Sequence, residues 1–327
     1  MKDFSYSVAI RTLGTAGEKY QMELESIIAQ TIKPQKIVVY IAEGYPIPKE
    51  TVGVEEYVYV KKGMVAQRAL DYSEISDEWI LLLDDDMQLP PDYVEKAYAG
   101  AKQFNADCVN ADLFGYNEIN LKRKIVLMMV GSYPLLSDKW GFTIGKNGRF
   151  NYNPRVRRNF YRSQTGAGGC IFIKKKCLLA IEFDQELWMD EEGYPMGEDQ
   201  VFNYKLYKNG YNLITYYNNG IVNLDAASGG KGPSPQRYRN NNFLLFVLWY
   251  RTCMDISTNR WYNKIACLLA YIFRLSINLG YVFVSCIRKF RLFYFTGYIL
   301  GIVDGIAYVN SSKYRIHNNF IVSKHTI

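Results

Sequence analysis

Short apolar segments alternate with amphipathic ones over the first 111 residues. Five runs have the length and composition of buried strands, and the segments between them place apolar residues at helical spacing. The predicted strands are Ser7–Ile10, Lys36–Ile41, Val54–Val60, Trp79–Leu83 and Cys108–Ala111, and the predicted helices cover Tyr20–Ile28, Met64–Tyr72 and a segment beginning at Pro91. This alternation predicts an α/β fold with a mostly parallel sheet and flanking helices.

Three consecutive carboxylates, Asp84, Asp85 and Asp86, follow the predicted strand Trp79–Leu83. Ligands of parallel sheets bind beyond the carboxyl ends of the strands, which is where these acids are expected. Strand alternation predicts that Asp84 and Asp86 share one face while Asp85 points to the other. The acids are either solvated strand-end residues or a site for a hard divalent cation, which also bridges phosphate oxygens.

A second acidic pair, Glu198 and Asp199, follows Gly197 at the start of the predicted helix Gln200–Lys208. Acidic residues in a first turn favour a helix through its dipole. A carboxylate in this position can also act as a general base toward an attacking hydroxyl. The preceding segment, Gly141–Arg162, is rich in Asn, Arg, Tyr and Gly and predicts a long loop.

The C-terminal third differs in charge from the rest of the chain. Residues 231–327 carry 13 Lys and Arg against two acidic residues, a net charge of +11 within a total of +7, which leaves −4 for residues 1–230. We therefore predict a catalytic domain over residues 1–230 and a basic, apolar helical region over residues 231–327. Six cysteines without CxxC spacing predict no zinc site.

Three strongly apolar segments lie in the basic region. They are Asn242–Tyr250, Ile265–Cys286 and Leu292–Val309. Their basic residues predict contact with an anionic membrane surface through residues 243–309, and no binding of nucleic acid. Arg274 and Asp304 lie inside the segments, which favours helices lying in the membrane interface over helices that span it. A soluble helical extension or an oligomer interface is the alternative. The absence of an N-terminal apolar signal predicts a catalytic part on the cytoplasmic face.

Seven segments, taken in order, resemble family 2 glycosyltransferases with the GT-A fold. They are VAIRT at Val8–Thr12, SIIAQT at Ser26–Thr31, KIVVYIAEG at Lys36–Gly44, GMVAQR at Gly63–Arg68, ILLLDDDM at Ile80–Met87, TGAGG with the following strand and the EFDQEL turn at Thr165–Leu187, and GEDQVFNYKLYKNG at Gly197–Gly210. The resemblance covers about residues 5–230.

The resemblance implies a function and a role for each matched residue. It implies inverting transfer of a sugar from a nucleotide-diphosphate donor to a hydroxyl of a glycan or lipid-linked acceptor, in cell-surface polysaccharide assembly. The implied residues are Asp199 with Glu198 for catalysis, Thr12, Glu43, Arg68, Asp84 and Asp85 for the donor, and Asp86, Asp84 and Asp225 for Mg²⁺ or Mn²⁺. Asp225 or Asn223 stands where the family often has a metal-site histidine.

Three other functions are compatible with parts of the sequence. A D-x-D phosphohydrolase also ends an apolar strand in two aspartates, but it places Thr or Val where Gln88 stands. A nucleotidyltransferase of similar fold uses a Gly-rich phosphate loop, of which Leu13–Lys19 is a poor version. A non-catalytic transferase-like scaffold at the membrane is the third alternative, and the intact acids speak against it.

Overall fold

The computed structural model describes residues 4–113, 120–129, 131–132, 139–153, 156–192, 197–224, 234–255, 260–289 and 291–316. The strands are β1 (Tyr6–Thr12), β2 (Ile37–Ala42), β3 (Glu55–Val60), β4 (Trp79–Asp84), β5 (Met87–Gln88), β6 (Cys108–Ala111), β7 (Phe142–Ile144), β8 (Phe150–Tyr152), β9 (Phe160–Ser163), β10 (Cys170–Lys174), β11 (Leu213–Tyr216) and β12 (Val222–Asn223). The helices are α1 (Glu18–Ile28), α2 (Tyr93–Phe104), α3 (Leu121–Met129), α4 (Lys175–Ala180), α5 (Glu198–Lys208), α6 (Pro235–Trp249), α7 (Trp261–Lys289), α8 (Phe293–Val309) and α9 (Ser312–Ile316). A 3₁₀ segment covers Phe183–Glu192, and a π-helical segment, Tyr250–Asp255, follows α6 directly.

Eight strands form the central sheet in the order β3-β2-β1-β4-β10-β6-β11-β9. Strands β3, β2, β1 and β4 run parallel, as do β6 and β11, whereas β10 is antiparallel to both of its neighbours and β9 is antiparallel to β11. The α/β class with a mostly parallel sheet is therefore confirmed. The carboxyl ends of β1, β2 and β4 meet at one edge, because these strands are parallel neighbours.

Each face of the sheet is covered by its own hydrophobic core. On one face Val8, Ile10 and Leu81 pack with the apolar residues of α1 and α2. On the other face Ala9, Ile80 and Leu82 pack in a second core. This core also includes Phe202 of α5 and most of the apolar residues of α6, among them Phe243. The central strands β1, β2 and β4 are buried on both faces of the sheet. This burial explains why their sequences are continuous apolar runs and not alternating ones.

The predicted helix Met64–Tyr72 is wrong, because the chain forms turns there. The amide of Arg68 donates to the carbonyl of Val65, and Tyr72 has a positive φ of 51°, which ends any helical continuation. The side chain of Asp190 accepts hydrogen bonds from the amides of Val65 and Ala66 at 3.1 and 2.9 Å. A carboxylate distant in sequence therefore fixes this turn, and local periodicity contains no sign of it.

The predicted loop Gly141–Arg162 is also wrong. Strands β7 and β8 pair as an antiparallel hairpin within it, and β9 begins at Phe160 and pairs with β11. The segment is polar because it joins the sheet at an edge. Hydrogen bonds to neighbouring strands, which a single sequence does not reveal, organise it.

Candidate active site

The strand-end carboxylates Asp84 and Asp85 point to opposite faces of the sheet. The Arg11 guanidinium forms an ion pair with Asp84, whereas the Thr12 hydroxyl donates a hydrogen bond to Asp85 on the opposite face of the sheet. Burial, with the nearby charges of Asp84 and Asp86, raises the pKa of Asp85 to about 6. The backbone carbonyl of Asp86 accepts a 2.9 Å hydrogen bond from the amide of Leu224. The division between Asp84 and Asp85 follows the predicted strand alternation.

A buried acid that the sequence analysis did not single out lies beneath these carboxylates. Glu23 of α1 is fully buried, and its Oε2 accepts a hydrogen bond from the amide of Met87 at 3.3 Å. Burial and the nearby Asp85 raise the pKa of Glu23 well above its usual value. Its position among Tyr20, Leu24 and Ile27 on the apolar face of α1 is the signal that could have identified it.

Two arginines hold Glu198 at the start of α5. Arg11 Nη2 lies 3.2 Å from Glu198 Oε1, and Arg68 Nη2 lies 3.8 Å from the same oxygen. Burial alone would lower the pKa of Arg11, but the carboxylates of Asp84 and Glu198 outweigh it and raise that pKa. Arg11 therefore connects the end of β4 to the start of α5. No role was predicted for Arg11 from the sequence, although an arginine that directly continues an apolar strand is a sequence feature that could have indicated one.

Arg68 lies in the turn that follows β3, and its side chain is 3% exposed. Its Nη2 donates to the carbonyl of Gly168 at 3.0 Å, and its guanidinium lies 5.3 Å from the centre of the Phe202 ring. Burial lowers the pKa of Arg68. A small cavity of about 10 Å³, close to the size of one water molecule, lies between Arg11, Arg68 and Asp84. These contacts make Arg68 a rigid part of the site floor.

Asp199 follows Glu198 in the first turn of α5, and its Oδ1 accepts a 2.8 Å hydrogen bond from the amide of Gln200. Burial and the neighbouring Glu198 charge raise the pKa of Asp199 to about 7. A Cβ atom on Gly168 would lie 2.6 Å from the Cβ of Asp199 and 2.9 Å from Arg68 Nη2. The glycine-rich segment before β10 therefore lies directly against the carboxylate-bearing turn, and it can do so because residue 168 has no side chain.

The remaining predicted residues occupy separate positions. Thr12 is buried, and its hydroxyl accepts a 2.8 Å hydrogen bond from the amide of Gly14 in addition to binding Asp85. Glu43 is exposed immediately after β2, where its amide donates to the carbonyl of Val60. Asp225 lies outside the described residues. Across the described ranges, no group of three or more His, Cys, Asp or Glu side chains has the arrangement of a metal site.

The family model for glycosyl transferase family 2 matches residues 59–179. This match includes Arg68, Asp84, Asp85, Asp86 and the glycine-rich segment, and it ends before α5. The match to glycosyltransferase family 2 therefore concerns this central segment of the chain. The acids at the end of β4 lie inside the matched region, whereas Glu198 and Asp199 of α5 lie outside it.

Two solved structures that resemble this chain have low sequence identity to it. S. aureus TarS 1-349 is 16% identical, with a TM-score of 0.51 over 95% of this chain and 82% of that one. GalNAc-T7, solved with UDP, GalNAc and Mn²⁺, is 15% identical, with a TM-score of 0.49 over 85% of this chain. This chain spans 55% of the GalNAc-T7 chain. No curated protein sequence matches it. The likeness to TarS concerns the fold, which is GT-A.

Proposed function

We propose that this chain transfers a sugar, with inversion, from a nucleotide-diphosphate donor to a hydroxyl of a glycan or lipid-linked acceptor. The observation that carries the proposal is the environment of Asp199. Its carboxylate is half-buried at the start of α5 beside Arg68 and Gly168, and its pKa of about 7 suits a general base at neutral pH. Glu198 is held by Arg11 and Arg68, so it serves to position this turn.

The strand-end acids suit the donor side of the reaction. Mg²⁺ in phosphate-binding sites commonly uses one or two carboxylates together with substrate phosphates, so Asp86 and Asp84 are a sufficient protein contribution. A divalent ion there would supply positive charge to the departing diphosphate. Thr12, at the end of β1, and Asp85, just after β4, are hydrogen-bonded to each other beside this site. Glu43 lies at the end of β2, where the nucleobase of a bound donor would reach it.

The alternative enzymes are less well supported. Both a D-x-D phosphohydrolase and a nucleotidyltransferase would leave Asp199 and its arginine-held neighbour Glu198 without a role. The family 2 match also covers Asp84–Asp86, the segment that a D-x-D phosphohydrolase would have to use. A non-catalytic scaffold would not need a half-buried carboxylate with a pKa near neutrality.

A panel of nucleotide-diphosphate sugars tests the proposal. Purified full-length protein is incubated with each sugar and with MnCl₂, MgCl₂ or EDTA, and release of free nucleotide diphosphate is measured with and without glycan and lipid-linked acceptors. We expect release from at least one sugar with a metal and none with EDTA. Release of inorganic phosphate from simple phosphate monoesters, with no nucleotide diphosphate formed from any sugar, would contradict it.

We also propose that α7 and α8 place the enzyme at the cytoplasmic face of a membrane, where surface polysaccharides are assembled. Trp261–Arg288 is long and apolar enough to cross a bilayer, and 28% of its most apolar stretch is buried, so it is not an ordinary core helix. Its exposed residues include Leu269, Ile272, Phe273, Tyr281, Phe283 and Val284.

The charges of Arg274 in the middle of α7 and of Asp304 in α8 support an interfacial position. Arg274 is buried and donates to the carbonyl of Asn147 at 2.7 Å, so the middle of α7 rests on the hairpin of β7 and β8. Asp304 of α8 pairs with Arg239 of α6. Both charges have protein partners, and the outer face of α7 is left apolar. A helix held along its middle by the catalytic domain fits one leaflet better than a full crossing.

Vesicle flotation tests the membrane proposal. The double variant Phe273→Ser, Tyr281→Ser removes two exposed apolar side chains from α7, and Ile47→Ser, Val54→Ser removes two from the loops beyond β2 and before β3. Because burial of each such side chain contributes about 1.5–3 kcal/mol, the α7 variant should bind anionic vesicles at least about tenfold more weakly. The control should bind as the wild type does. Equal flotation of both variants would contradict the proposal.

A further inference from the structure

Two arginines come together where the hairpin of β7 and β8 meets α7. Arg149 ends the hairpin turn, and Arg274 lies at the middle of α7 with 5% of its surface exposed. Burial and the neighbouring Arg149 charge lower the pKa of Arg274 to about 10, and burial lowers the pKa of Arg149 as well. Asn147 contacts both residues, because its Oδ1 accepts a 3.1 Å hydrogen bond from the amide of Arg149 and its carbonyl accepts one of 2.7 Å from Arg274 Nη1. Two guanidinium groups are therefore held around one hairpin turn, partly out of water.

No carboxylate offsets these charges within the described part of the chain. The groups that act on Arg149 are the phenols of Tyr238, Tyr271 and Tyr298, which are neutral. Arg149 Nε is buried and has no hydrogen-bond acceptor among the described residues. Arg274 uses Nη1 to reach the carbonyl of Asn147 and lies over the ring of Tyr271 at 5.5 Å. A buried positive charge without a negative charge to offset it is strongly unfavourable, so two such charges indicate an anionic ligand.

The surrounding contacts hold the pair in a fixed geometry. The indole nitrogen of Trp249 donates to the carbonyl of Lys146 at 3.1 Å, and the Tyr271 ring stacks on Trp249 at 3.9 Å between centres. A Cβ on Gly148 would lie 2.8 Å from the Cβ of Trp249, so the hairpin turn rests directly on α6. Both arginines are thus mounted on packed elements, which is the preorganisation that an anion site requires.

We propose that Arg149 and Arg274 bind a phosphate group carried by a lipid at the membrane face of α7. Arginine presents planar, paired donors that match phosphate oxygens, and the orphan Nε of Arg149 with the remaining nitrogens of both groups provides several such donors. The site lies beside the apolar face of α7, where a lipid phosphate would be found. The role of such a lipid as acceptor rests on the proposed glycosyl transfer, whereas binding of the phosphate does not.

Binding measured without donor sugar tests this site. Full-length protein is titrated with phosphatidylcholine vesicles containing a polyprenyl monophosphate, with matched vesicles containing phosphatidylglycerol, and with inorganic phosphate. Arg149→Gln removes one guanidinium from a partly exposed position, and Arg149→Lys keeps the charge without the paired donors. The control, Arg158→Gln, removes an exposed charge outside residues 243–309.

We expect Arg149→Gln to weaken binding of the polyprenyl monophosphate vesicles at least tenfold, Arg149→Lys to weaken it less, and Arg158→Gln to leave it unchanged. The same weakening with phosphatidylglycerol would support the phosphate site and assign it to a bilayer lipid headgroup. Weakening with inorganic phosphate would support the site and assign it to a soluble phosphate. Equal effects of Arg149→Gln and Arg158→Gln, or no phosphate-dependent binding by the wild type, would overturn the proposal. Because no donor is present, this result is independent of whether the protein transfers a sugar.

Discussion

At the scale of single residues, the central feature is a set of charges arranged so that one carboxylate titrates near neutrality. Arg11 forms ion pairs with both Asp84 and Glu198. Asp199 is half-buried, and among the described residues it forms no ion pair with Arg11 or Arg68. Glu198 then acts on Asp199 as a negative neighbour and raises its pKa. The two adjacent acids, which look equivalent in sequence, therefore have different roles.

The raised pKa of Asp199 predicts the pH dependence of transfer. A general base must be deprotonated, so a group with a pKa of about 7 is mostly inactive at low pH and becomes active as the pH rises through that value. We expect kcat/KM to fall about tenfold for each pH unit below 7 and to level off above it. Initial rates between pH 5 and 9 in one ionic strength measure this. A profile that is flat from pH 5 to 7 would contradict the assignment.

Removal of Arg11 should destabilise the protein. Arg11→Gln leaves Asp84 without its ion-pair partner and Glu198 with only Arg68, and breaking a buried ion pair typically costs about 3–5 kcal/mol; we expect about 3 kcal/mol because Asp84 is partly exposed. The free energy of unfolding is measured with urea. The control, Arg158→Gln, changes an exposed arginine and should alter stability by less than about 0.5 kcal/mol. Similar losses for both variants would mean that the Arg11 contacts contribute little.

At the scale of elements, α8 depends on glycine to approach α6. Gly297, Gly301 and Gly305 are buried and recur every four residues, so they lie on one face of α8. A Cβ on Gly301 would lie 2.4 Å from the carbonyl oxygen of Arg239 and 2.9 Å from the amide nitrogen of Phe243. Backbone atoms cannot move aside as a side chain would. The glycine face thus explains how α8 packs on α6 and why its other face, with Leu300 and Val303, is exposed.

Two glycine substitutions separate this close packing from helix propensity. Gly301→Ala inserts a methyl group against backbone, whereas Gly280→Ala in α7 meets nothing within 4 Å. Alanine favours a helix by about 1 kcal/mol over glycine, so Gly280→Ala should raise the free energy of unfolding slightly. Gly301→Ala should lower it by about 1–3 kcal/mol, because overpacking costs that much. Thermal and urea unfolding measure both, and stabilisation by Gly301→Ala would contradict the packing.

The elements also show what the sequence could predict. The runs ending at Ile41, Val60 and Asp84 are buried on one or both faces of a parallel sheet, so composition alone located them, and strand alternation correctly separated Asp84 from Asp85. The predictions of a helix over Met64–Tyr72 and of a loop over Gly141–Arg162 were wrong, because the structure has a turn in the first segment and a hairpin within the second. Asp190 fixes the first and edge pairing with β11 the second, and both contacts join residues far apart in sequence.

At the scale of the whole molecule, the C-terminal helices and the catalytic part share contacts. Phe243 and Trp249 of α6 belong to the same core as Phe202 of α5. The fully buried Arg251 donates to Glu186 at 2.8 Å, and the same carboxylate lies 3.3 Å from Lys205 of α5. The boundary predicted at residue 230 therefore divides the charge distribution of the chain, while the core continues across it. We infer that the C-terminal helices also support α5, the helix that carries Asp199.

The most direct test of the proposed glycosyl transfer compares turnover and donor binding between the wild type and Asp199→Asn. The amide cannot accept the acceptor proton, so with a nucleotide sugar that the wild type uses, kcat should fall by about 10²–10⁴. Metal-dependent binding of the nucleotide should be unchanged, since it depends on Asp84 and Asp86. Glu191→Gln, which alters an exposed acid nearby, should retain both activities. Wild-type turnover by Asp199→Asn would contradict the assignment of Asp199 as the base and, with it, the proposed mechanism.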